Sequence, residues 1–234
     1  MRRRYTGGAI KLDTKDKENA RRVPTQSHNL SFGNERILLS GMPGSGKTST
    51  ALQIICRSAP IAAVYVLSGT PGTREFDCLE HVALEEPPSP AEWAEISKKH
   101  GGKMISCIID DWQTSDCTKK QASNIRMLLR TCSTHMNIQV ILSCHSLTNC
   151  CPSWRRCMSV YLLWRPQDLA SVPYLARQVG LSAGHLRSIF KMLRKRGRHS
   201  FLLIEDEGPK IGRPRLRIDA EHEVVLDGSS SDDE

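Results

Sequence analysis

The sequence predicts an α/β fold in which a mostly parallel central sheet is flanked by helices. Short apolar runs end abruptly at glycines, aspartates or other turn residues, which is typical of buried parallel strands. Segments with one apolar face separate these runs, as the crossover helices of a parallel sheet do. A glycine-rich stretch, residues 41–48, joins the first such strand to the first helix. Together these observations indicate one α/β domain organised around a phosphate-binding loop.

The glycine-rich stretch fits the pattern GxxxxGK[ST], the Walker A motif, with a strand at residues 37–40 before it and a helix at residues 49–55 after it. In this context Lys47 reaches the β- and γ-phosphates, and the Thr48 hydroxyl holds Mg²⁺. The predicted fold is therefore that of a P-loop NTPase, with ATP and Mg²⁺ as ligands. The predicted nucleotide-binding residues are Gly41, Met42, Pro43, Gly44, Ser45, Gly46, Lys47, Thr48 and Ser49.

The remaining elements alternate between strand and helix. The predicted strands are residues 61–67, 104–109, 138–143, 159–164 and 199–205, and the predicted helices are residues 91–100, 123–132 and 175–195. Ser89 is the expected N-cap of the first of these helices. We divide the chain into a flexible basic arm (1–28), an ATPase domain (29–206) with a basic helical segment (175–198), and an extension (207–234) with an acidic, disordered tail.

The strand at residues 104–109 ends in Asp110 and Asp111, which is the Walker B pattern of a buried strand that delivers a carboxylate to the metal. Asp110 is the predicted Mg²⁺ ligand together with Thr48. Asp111 stands where many such ATPases orient or deprotonate the attacking water. The alternative for two aspartates after a strand is a loop start or a helix cap, and the upstream Walker A motif favours the catalytic interpretation.

Four further residues are candidates for catalysis. We expect the strand at residues 138–143 to lie between the two Walker strands, as in additional-strand (ASCE) P-loop ATPases, where a polar group at its end senses the γ-phosphate. Ser143 and His145 are the candidates, although a lone histidine at a strand end is more often a loop residue. Arg155 or Arg156 could act as an arginine finger on a neighbouring subunit's ATP, and a surface pair is the alternative.

The charge distribution suggests a polyanionic partner. The net charge is +8, with basic clusters within residues 2–22 and 187–198 and an acidic end that begins at residue 219. Such clusters indicate DNA binding or, alternatively, simply solvated segments. Within the second cluster, residues 176–190 have a helix-turn-helix spacing, but two amphipathic helices around Gly180 would produce the same pattern and are preferred. No apolar run approaches the length of a membrane span, so we expect no membrane partner.

Nine cysteines, without a CxxC pair or a secretion signal, indicate reduced thiols in a cytosolic or nuclear protein. A zinc site could use some of the residues that follow strand 138–143, but their spacing matches no standard zinc site. Those residues are Cys144, His145, Cys150, Cys151 and Cys157.

The order of these features resembles that of the viral DNA-packaging ATPases of the FtsK–HerA superfamily, in particular the poxvirus and giant-virus branch. The resemblance covers residues 30–206. It rests on the Walker A loop, on the strand Ile108-Ile109-Asp110-Asp111, on residues 138–146, on Trp154-Arg155-Arg156 before an apolar strand, and on the final strand, residues 199–204.

Two departures from the family pattern affect the site. Asp111 stands where glutamate is common, and its shorter reach could slow hydrolysis. The sensor position, often glutamine, lies here among Ser143, Cys144 and His145.

The resemblance implies an oligomeric ring motor that pumps double-stranded DNA into a capsid. Its implied partners are double-stranded DNA, further copies of this chain, and a capsid or portal-type viral protein. Its implied location is the host cytoplasm or nucleus at the site of virion assembly, with the virion itself as a further location.

Two other functions remain open from the sequence. A P-loop kinase or other small-molecule NTPase would show no stimulation by DNA and would need a substrate lid, which the sequence does not identify. A DNA-binding regulator that uses residues 175–198, with the phosphate loop as a switch, would bind specific DNA even after loss of Lys47.

Overall fold

The computed structural model describes residues 20–24, 30–58, 60–69, 75–112, 115, 117–148, 150–166, 171–178, 180–205, 215–218 and 222–226. Within them the strands are β1 (Ala20–Pro24), β2 (Arg36–Ser40), β3 (Val64–Ser68), β4 (Val82–Leu84), β5 (Ile105–Asp110), β6 (Ile138–Cys144), β7 (Val160–Trp164), β8 (Phe201–Glu205), β9 (Arg215–Ile218) and β10 (His222–Leu226). The helices are α1 (Lys47–Arg57), α2 (Pro90–Lys99), α3 (Lys119–Met127), α4 (Ser133–His135), α5 (Pro152–Arg155), α6 (Ser171–Gln178) and α7 (Ala183–Arg196). A π-helical turn, Leu128–Cys132, joins α3 to α4.

The described strands form one sheet in the order β1-β10-β9-β8-β7-β2-β6-β5-β3-β4. The six strands from β7 to β4 run parallel, and β8, β9, β10 and β1 extend one edge in antiparallel pairs. Strand β6 lies between β2, which leads into the phosphate loop, and β5, which ends at Asp110. It is the additional strand between the Walker strands, so the predicted fold class is confirmed.

The central strands are buried on both faces, and their alternating side chains enter two separate core layers. Ile37 and Leu39 of β2 belong to the layer that includes Ile54 of α1. Leu38 belongs to the other layer, to which α2, α3, α6 and α7 contribute side chains such as Trp93. This double burial explains why the strands are almost continuously apolar in sequence. The carboxyl ends of the parallel strands remain as the edge where α/β sheets bind ligands.

The predicted helical segment at residues 175–195 consists of two helices, α6 and α7, with a break between them. Gly180 in this break has a φ of +70°, a left-handed conformation that glycine adopts without strain. Leu186, Ile189 and Leu193 on one side of α7 are buried in the core. The preferred interpretation, two amphipathic helices around a glycine, is therefore what the chain adopts. No described helix is long and apolar enough to cross a membrane.

Both ends of the chain contribute strands where the sequence predicted none. We expected residues 1–28 to be a flexible arm and residues 207–234 an extension with a disordered tail. Instead β1 pairs with β10, and β9 pairs with β8. Strand β9 packs alongside β8, and its residues Leu216 and Ile218 are buried in the core. Arg217 is also buried, and it forms an ion pair with the glutamate that ends β8. The remaining parts of both segments lie outside the described residues.

Gln139 anchors the segment that precedes the phosphate-loop strand. Its side chain is fully buried on β6, and Nε2 donates to the carbonyl oxygens of Phe32 at 3.0 Å and Gly33 at 2.9 Å. Nε2 also lies 3.1 Å from Ser58 Oγ, and Oε1 accepts from Ser106 Oγ at 3.2 Å. The amide thus links the segment before β2 and the end of α1 to the two central strands β5 and β6.

We expect Gln139→Ala to lower the free energy of unfolding by about 2–4 kcal/mol, because it leaves buried polar groups without partners and opens a cavity. Urea denaturation followed by circular dichroism measures this loss. Gln53→Ala is the matched control, since Gln53 is exposed on α1 and its removal should change stability by no more than about 0.5 kcal/mol. Equal losses in the two variants would contradict the anchoring role of Gln139.

Candidate functional site

The phosphate loop connects β2 to α1, and its shape depends on two glycines. Gly46, the N-cap of α1, has a φ of +104°, which strains any residue with a Cβ atom. A Cβ atom at Gly41 would lie 2.6 Å from Cβ of Trp164, closer than non-bonded carbon atoms approach. The N–H of Ser45 donates to the carbonyl of Met42 at 3.1 Å. The loop thereby presents the N-terminal N–H groups of α1 to a phosphate group.

Two consecutive carbonyl groups at the end of β6 link the phosphate loop to the acidic residues that follow β5. The carbonyl of Cys144 accepts a hydrogen bond from the N–H of Gly41 at 3.2 Å, on the phosphate-loop side. The carbonyl of Ser143 accepts from the N–H of Asp111 at 3.2 Å, on the acidic side. The next residue along the chain, His145, consequently lies between the phosphate loop and the acidic pair.

Lys47 is buried, and its ammonium group contacts three acceptors. Nζ donates to the carbonyl oxygens of Gly41 at 2.9 Å and Met42 at 3.4 Å, and it lies 3.2 Å from Nδ1 of His145. Because an ammonium group only donates, Nδ1 is the acceptor in the last contact. His145 is then a neutral imidazole that carries its proton on Nε2.

Asp111 accepts a hydrogen bond from the protonated Nε2 of His145, which lies 3.1 Å from Oδ2 of Asp111. Asp111 also has a φ of +49°, a conformation that is uncommon outside glycine and is concentrated at functional sites. Its Oδ1 is buried and makes no hydrogen bond within the described residues. The imidazole therefore orients a carboxylate whose second oxygen is an unused acceptor.

The neighbouring carboxylates and a hydroxyl suit a divalent cation. Thr48 Oγ1 donates to Glu75 Oε2 at 2.8 Å. The Asp110 carboxyl group is buried, and this burial raises its pKa; the negative charges of Asp111 and Glu75 add to the rise, which Lys47 opposes. A cation bound here would stabilise the ionised form of Asp110.

The donor set fits Mg²⁺ rather than a metal held by protein alone. Mg²⁺ commonly takes one or two protein ligands and completes its coordination with phosphate oxygens and water, a role open to Thr48 and Asp110. In the part of the chain that the structure describes, no group of three or more His, Cys, Asp or Glu residues is arranged to hold a metal. The cysteines considered for zinc are free thiols: Cys144 and Cys150 are buried, and Cys151 and Cys157 are half-buried.

The two candidate finger arginines occupy different environments. The Arg155 side chain is buried, donates to the carbonyl of Leu147, and stacks over the ring of Tyr174 with Cζ 4.5 Å from the ring centre. Arg156 is exposed. A carbonyl group and an aromatic face therefore engage the Arg155 guanidinium group within its own chain. Both arginines stay candidates for the finger, and Arg156 is the exposed one.

Three residues near the site were absent from the sequence prediction: Glu75, Arg198 and His199. Arg198 Nη2 donates to the carbonyl of Pro43 at 3.0 Å, and His199 Nδ1 donates to the carbonyl of Ser45 at 3.0 Å. None of the three belongs to a Walker motif, and all lie far from the phosphate loop in sequence. Only the fold brings them to it, so sequence patterns contained no signal for these contacts beyond the residues' polarity.

Comparison with known proteins identifies solved structures with the same fold. The DNA-packaging ATPase B204 from Sulfolobus Turreted Icosahedral Virus is 14% identical, with a TM-score of 0.53 over 79% of this chain and 96% of that chain. The genome packaging NTPase B204 from Sulfolobus turreted icosahedral virus 2, solved with sulfate, is 14% identical, with a TM-score of 0.56 over 81% of this chain and 96% of that one.

The cytoplasmic domain of the Thermomonospora curvata Type VII Secretion ATPase EccC is also similar, at 12% identity and a TM-score of 0.52, over 84% of this chain and 28% of that chain. No protein-family model and no curated protein matches the sequence. The resemblance to viral packaging ATPases that the motifs indicated is therefore confirmed at the level of the fold.

We expect Asp110→Asn to raise the melting temperature of the nucleotide-free protein by about 2–4 °C. Burial raises the pKa of Asp110, so its protonated form stabilises the fold below the unfolded-state pKa, and this stability is lost as the pH rises through the folded-state pKa. At neutral pH the buried, ionised carboxylate therefore destabilises the protein, and an amide removes that cost. Differential scanning calorimetry at neutral pH measures the difference.

The same experiment with Asp77→Asn provides the control, because this exposed carboxylate bears no burial cost and its replacement should give no increase in melting temperature. The advantage of Asp110→Asn should also shrink as the pH is lowered through the raised folded-state pKa, because the wild-type carboxyl then becomes protonated. An unchanged or lower melting temperature for Asp110→Asn at neutral pH would contradict the role assigned to burial.

Proposed function

We propose that this protein is an ATP-hydrolysing motor that translocates double-stranded DNA and packages a viral genome into a capsid. One observation carries the proposal. The phosphate-loop lysine, the two carboxylates of the Walker B strand and a histidine between them meet at the carboxyl edge of β2, β6 and β5. These residues are Lys47, Asp110, Asp111 and His145.

In the proposed reaction Lys47 exchanges the loop carbonyl groups that it contacts for the β- and γ-phosphate oxygens of ATP. Thr48 and Asp110 hold Mg²⁺, which supplies positive charge to the phosphates when bound. Asp111 then accepts a proton from the attacking water, or fixes its direction.

His145 is proposed as a positioning residue. It contacts Lys47 with one ring nitrogen and Asp111 with the other, so the position of the lysine and the orientation of the carboxylate are coupled through one imidazole. Movement of Lys47 onto the γ-phosphate would free Nδ1 of His145 and would change the hydrogen bond between Nε2 and Asp111. This arrangement would let the site respond to the γ-phosphate even though aspartate replaces the commoner glutamate.

The DNA part of the proposal rests on charge and on the similar proteins. One face of α7 is buried in the core, whereas Arg187, Lys191 and Arg194, at spacings of three and four residues, are exposed. A row of cations on a firmly packed helix suits a phosphate backbone. The similar viral B204 proteins are packaging enzymes, which favours double-stranded DNA as the polyanion and a capsid or portal-type protein as a further partner. Arg156 is the proposed contact to a neighbouring subunit's ATP in a ring.

We expect steady-state ATP hydrolysis to rise severalfold on addition of double-stranded DNA. Lys47→Ala should reduce the DNA-stimulated rate by about a thousandfold, because it removes charge stabilisation of the transferred phosphoryl group. Asp111→Asn should lower kcat by about 100-fold or more with little change in KM, since it removes the proposed base but no ground-state contact to ATP. A coupled assay of ADP release measures both.

Other outcomes of this assay favour the remaining functions. Hydrolysis that is indifferent to DNA would support a small-molecule NTPase or kinase. Specific DNA binding that survives Lys47→Ala, without any hydrolysis, would support a DNA-binding regulator. Either result would contradict the proposed motor.

The charged face of α7 generates a separate prediction. The double variant Arg187→Glu with Lys191→Glu should weaken DNA binding by about tenfold or more. The slope of log Kd against log salt concentration should fall by roughly 2, because about two phosphate contacts are lost. Fluorescence anisotropy at several salt concentrations measures both quantities. Lys98→Glu with Lys99→Glu makes the same charge change on exposed residues of α2 and is the control. Equal effects of the two double variants would show that α7 has no special role.

A further inference from the structure

The sheet ends in two strands that have a neighbouring strand on one side only within the described residues. These are β4, which pairs with β3, and β1, which pairs with β10. Since strands in a sheet are spaced about 4.8 Å apart, the two ends lie on the order of 40 Å apart along the sheet. The outer side of an end strand presents backbone N–H and C=O groups that can pair with another chain. We call these two sides the β4 edge and the β1 edge.

The strands at the two edges run in the same direction. The six strands from β4 to β7 are parallel, and four antiparallel pairings then lead from β7 to β1. Four reversals restore the original direction, so β1 is parallel to β4. A second copy placed head to tail beside the first would therefore bring its β1 alongside β4 as a further parallel strand. Two copies related by a two-fold axis would instead pair each edge with itself.

The β4 edge combines an exposed apolar side chain with an acidic surround. Val82 in β4 is 49% exposed and is one of three large apolar side chains that are exposed within the described residues. Residues 75–97, which include β4 and most of α2, contain no Lys or Arg, and their seven Asp and Glu residues are all exposed. Two of these, Glu80 and Glu85, lie on either side of β4 in sequence. An apolar centre within a polar rim is the usual anatomy of a protein interface.

The β1 edge belongs to a basic part of the chain. Strand β1 has the sequence ARRVP and includes Arg21 and Arg22. Residues 1–24, which end with this strand, contain eight Lys and Arg against three Asp and Glu. Two copies that met through the same edge would bring like charges together, whereas a β1 edge against a β4 edge pairs opposite charges. Charge therefore selects the same head-to-tail arrangement that the strand directions allow.

We propose that the β4 edge binds the β1 edge of a second copy, so that the sheet continues from one subunit into the next by addition of a parallel strand. Val82 supplies the apolar contact, and the surrounding carboxylates attract the basic chain at the neighbour's β1. Each copy uses a different surface on each side, and such heterologous contacts generate a ring when the successive rotations close. The inference rests on the ring assembly of the proposed function, for which it names the surfaces, but not on ATP hydrolysis.

Sedimentation velocity of the wild-type protein, without nucleotide or DNA, tests whether the copies associate. We expect the mean mass to rise with protein concentration and the Kd of self-association to increase about tenfold or more between low and high salt, because salt screens the opposite charges. A monomer under all conditions would overturn the proposal. Self-association without DNA-stimulated ATP hydrolysis would instead refute the proposed motor and leave the contact standing, so the two failures are distinguishable.

Charge reversal at one edge at a time identifies the surfaces. Glu80→Lys with Glu85→Lys should weaken self-association by about tenfold or more, because like charges then face each other across the contact. Arg21→Glu with Arg22→Glu should have the same effect for the same reason. If either reversal disturbs folding, as judged by circular dichroism, Glu80→Gln with Glu85→Gln is the milder variant and should weaken association severalfold. Unchanged association in a folded edge variant would contradict the assignment of that edge.

The matched control changes charge away from both edges. Arg126→Glu with Arg130→Glu makes the same charge change as the reversal in β1, on exposed residues that belong to neither edge. It should leave the Kd of self-association within about twofold of the wild-type value. A loss as large as that of the edge variants would show that net charge, rather than these two edges, governs association.

An equimolar mixture of the two edge-reversal variants provides the decisive test. One variant has two basic edges and the other has two acidic edges, so every β1–β4 contact between the two variants again pairs opposite charges. The mixture should therefore associate with a Kd within about threefold of the wild-type value, although neither variant associates well alone. Recovery would also show that both variants are folded. Two folded variants that remain monomeric when mixed would overturn the pairing of the β1 edge with the β4 edge.

Discussion

The hydrogen bonds at the carboxyl end of β6 are the constraint on which the site depends. Its last two carbonyl groups, those of Ser143 and Cys144, accept from the first residue after β5 and from the first glycine of the phosphate loop. The side chain of the next residue, His145, then contacts Asp111 and Lys47. A single strand end therefore fixes the separation of the two Walker motifs and places a titratable group between them. Buried ladders on both sides of β6 make this spacing rigid.

The site combines this rigidity with local features that weaken stability. Asp110 is an acid in a buried position, Asp111 has a left-handed backbone, and Lys47 is a buried cation satisfied by backbone carbonyl groups and an imidazole. A core built only for stability would contain none of these. They are expected where a fold must receive phosphate oxygens and a divalent cation, because those ligands provide the charges that the protein alone does not balance.

Much of the fold was predictable because it depends on local patterns. The apolar runs located β2, β3, β5, β6, β7 and β8, and the Walker spacing predicted which strand ends carry the site. Contacts that depend on tertiary packing were not predictable. The burial of Arg155 under Tyr174 and the docking of Arg198 on the phosphate loop follow from how helices cover the sheet. Strands β1, β9 and β10 escaped prediction because they are short and lie in charged stretches of the chain, and they become strands by pairing outward from the edge that β8 provides.

Helix α7 links the nucleotide site to the proposed DNA contact, because its end borders the phosphate loop and its basic side chains are exposed. Displacement of a triplex-forming strand from double-stranded DNA tests the central claim of translocation most directly, since only a protein that moves along the duplex removes the third strand. A translocating motor should displace the third strand only in the presence of ATP, and Asp111→Asn should abolish this displacement. DNA-stimulated hydrolysis without displacement of the third strand would contradict translocation.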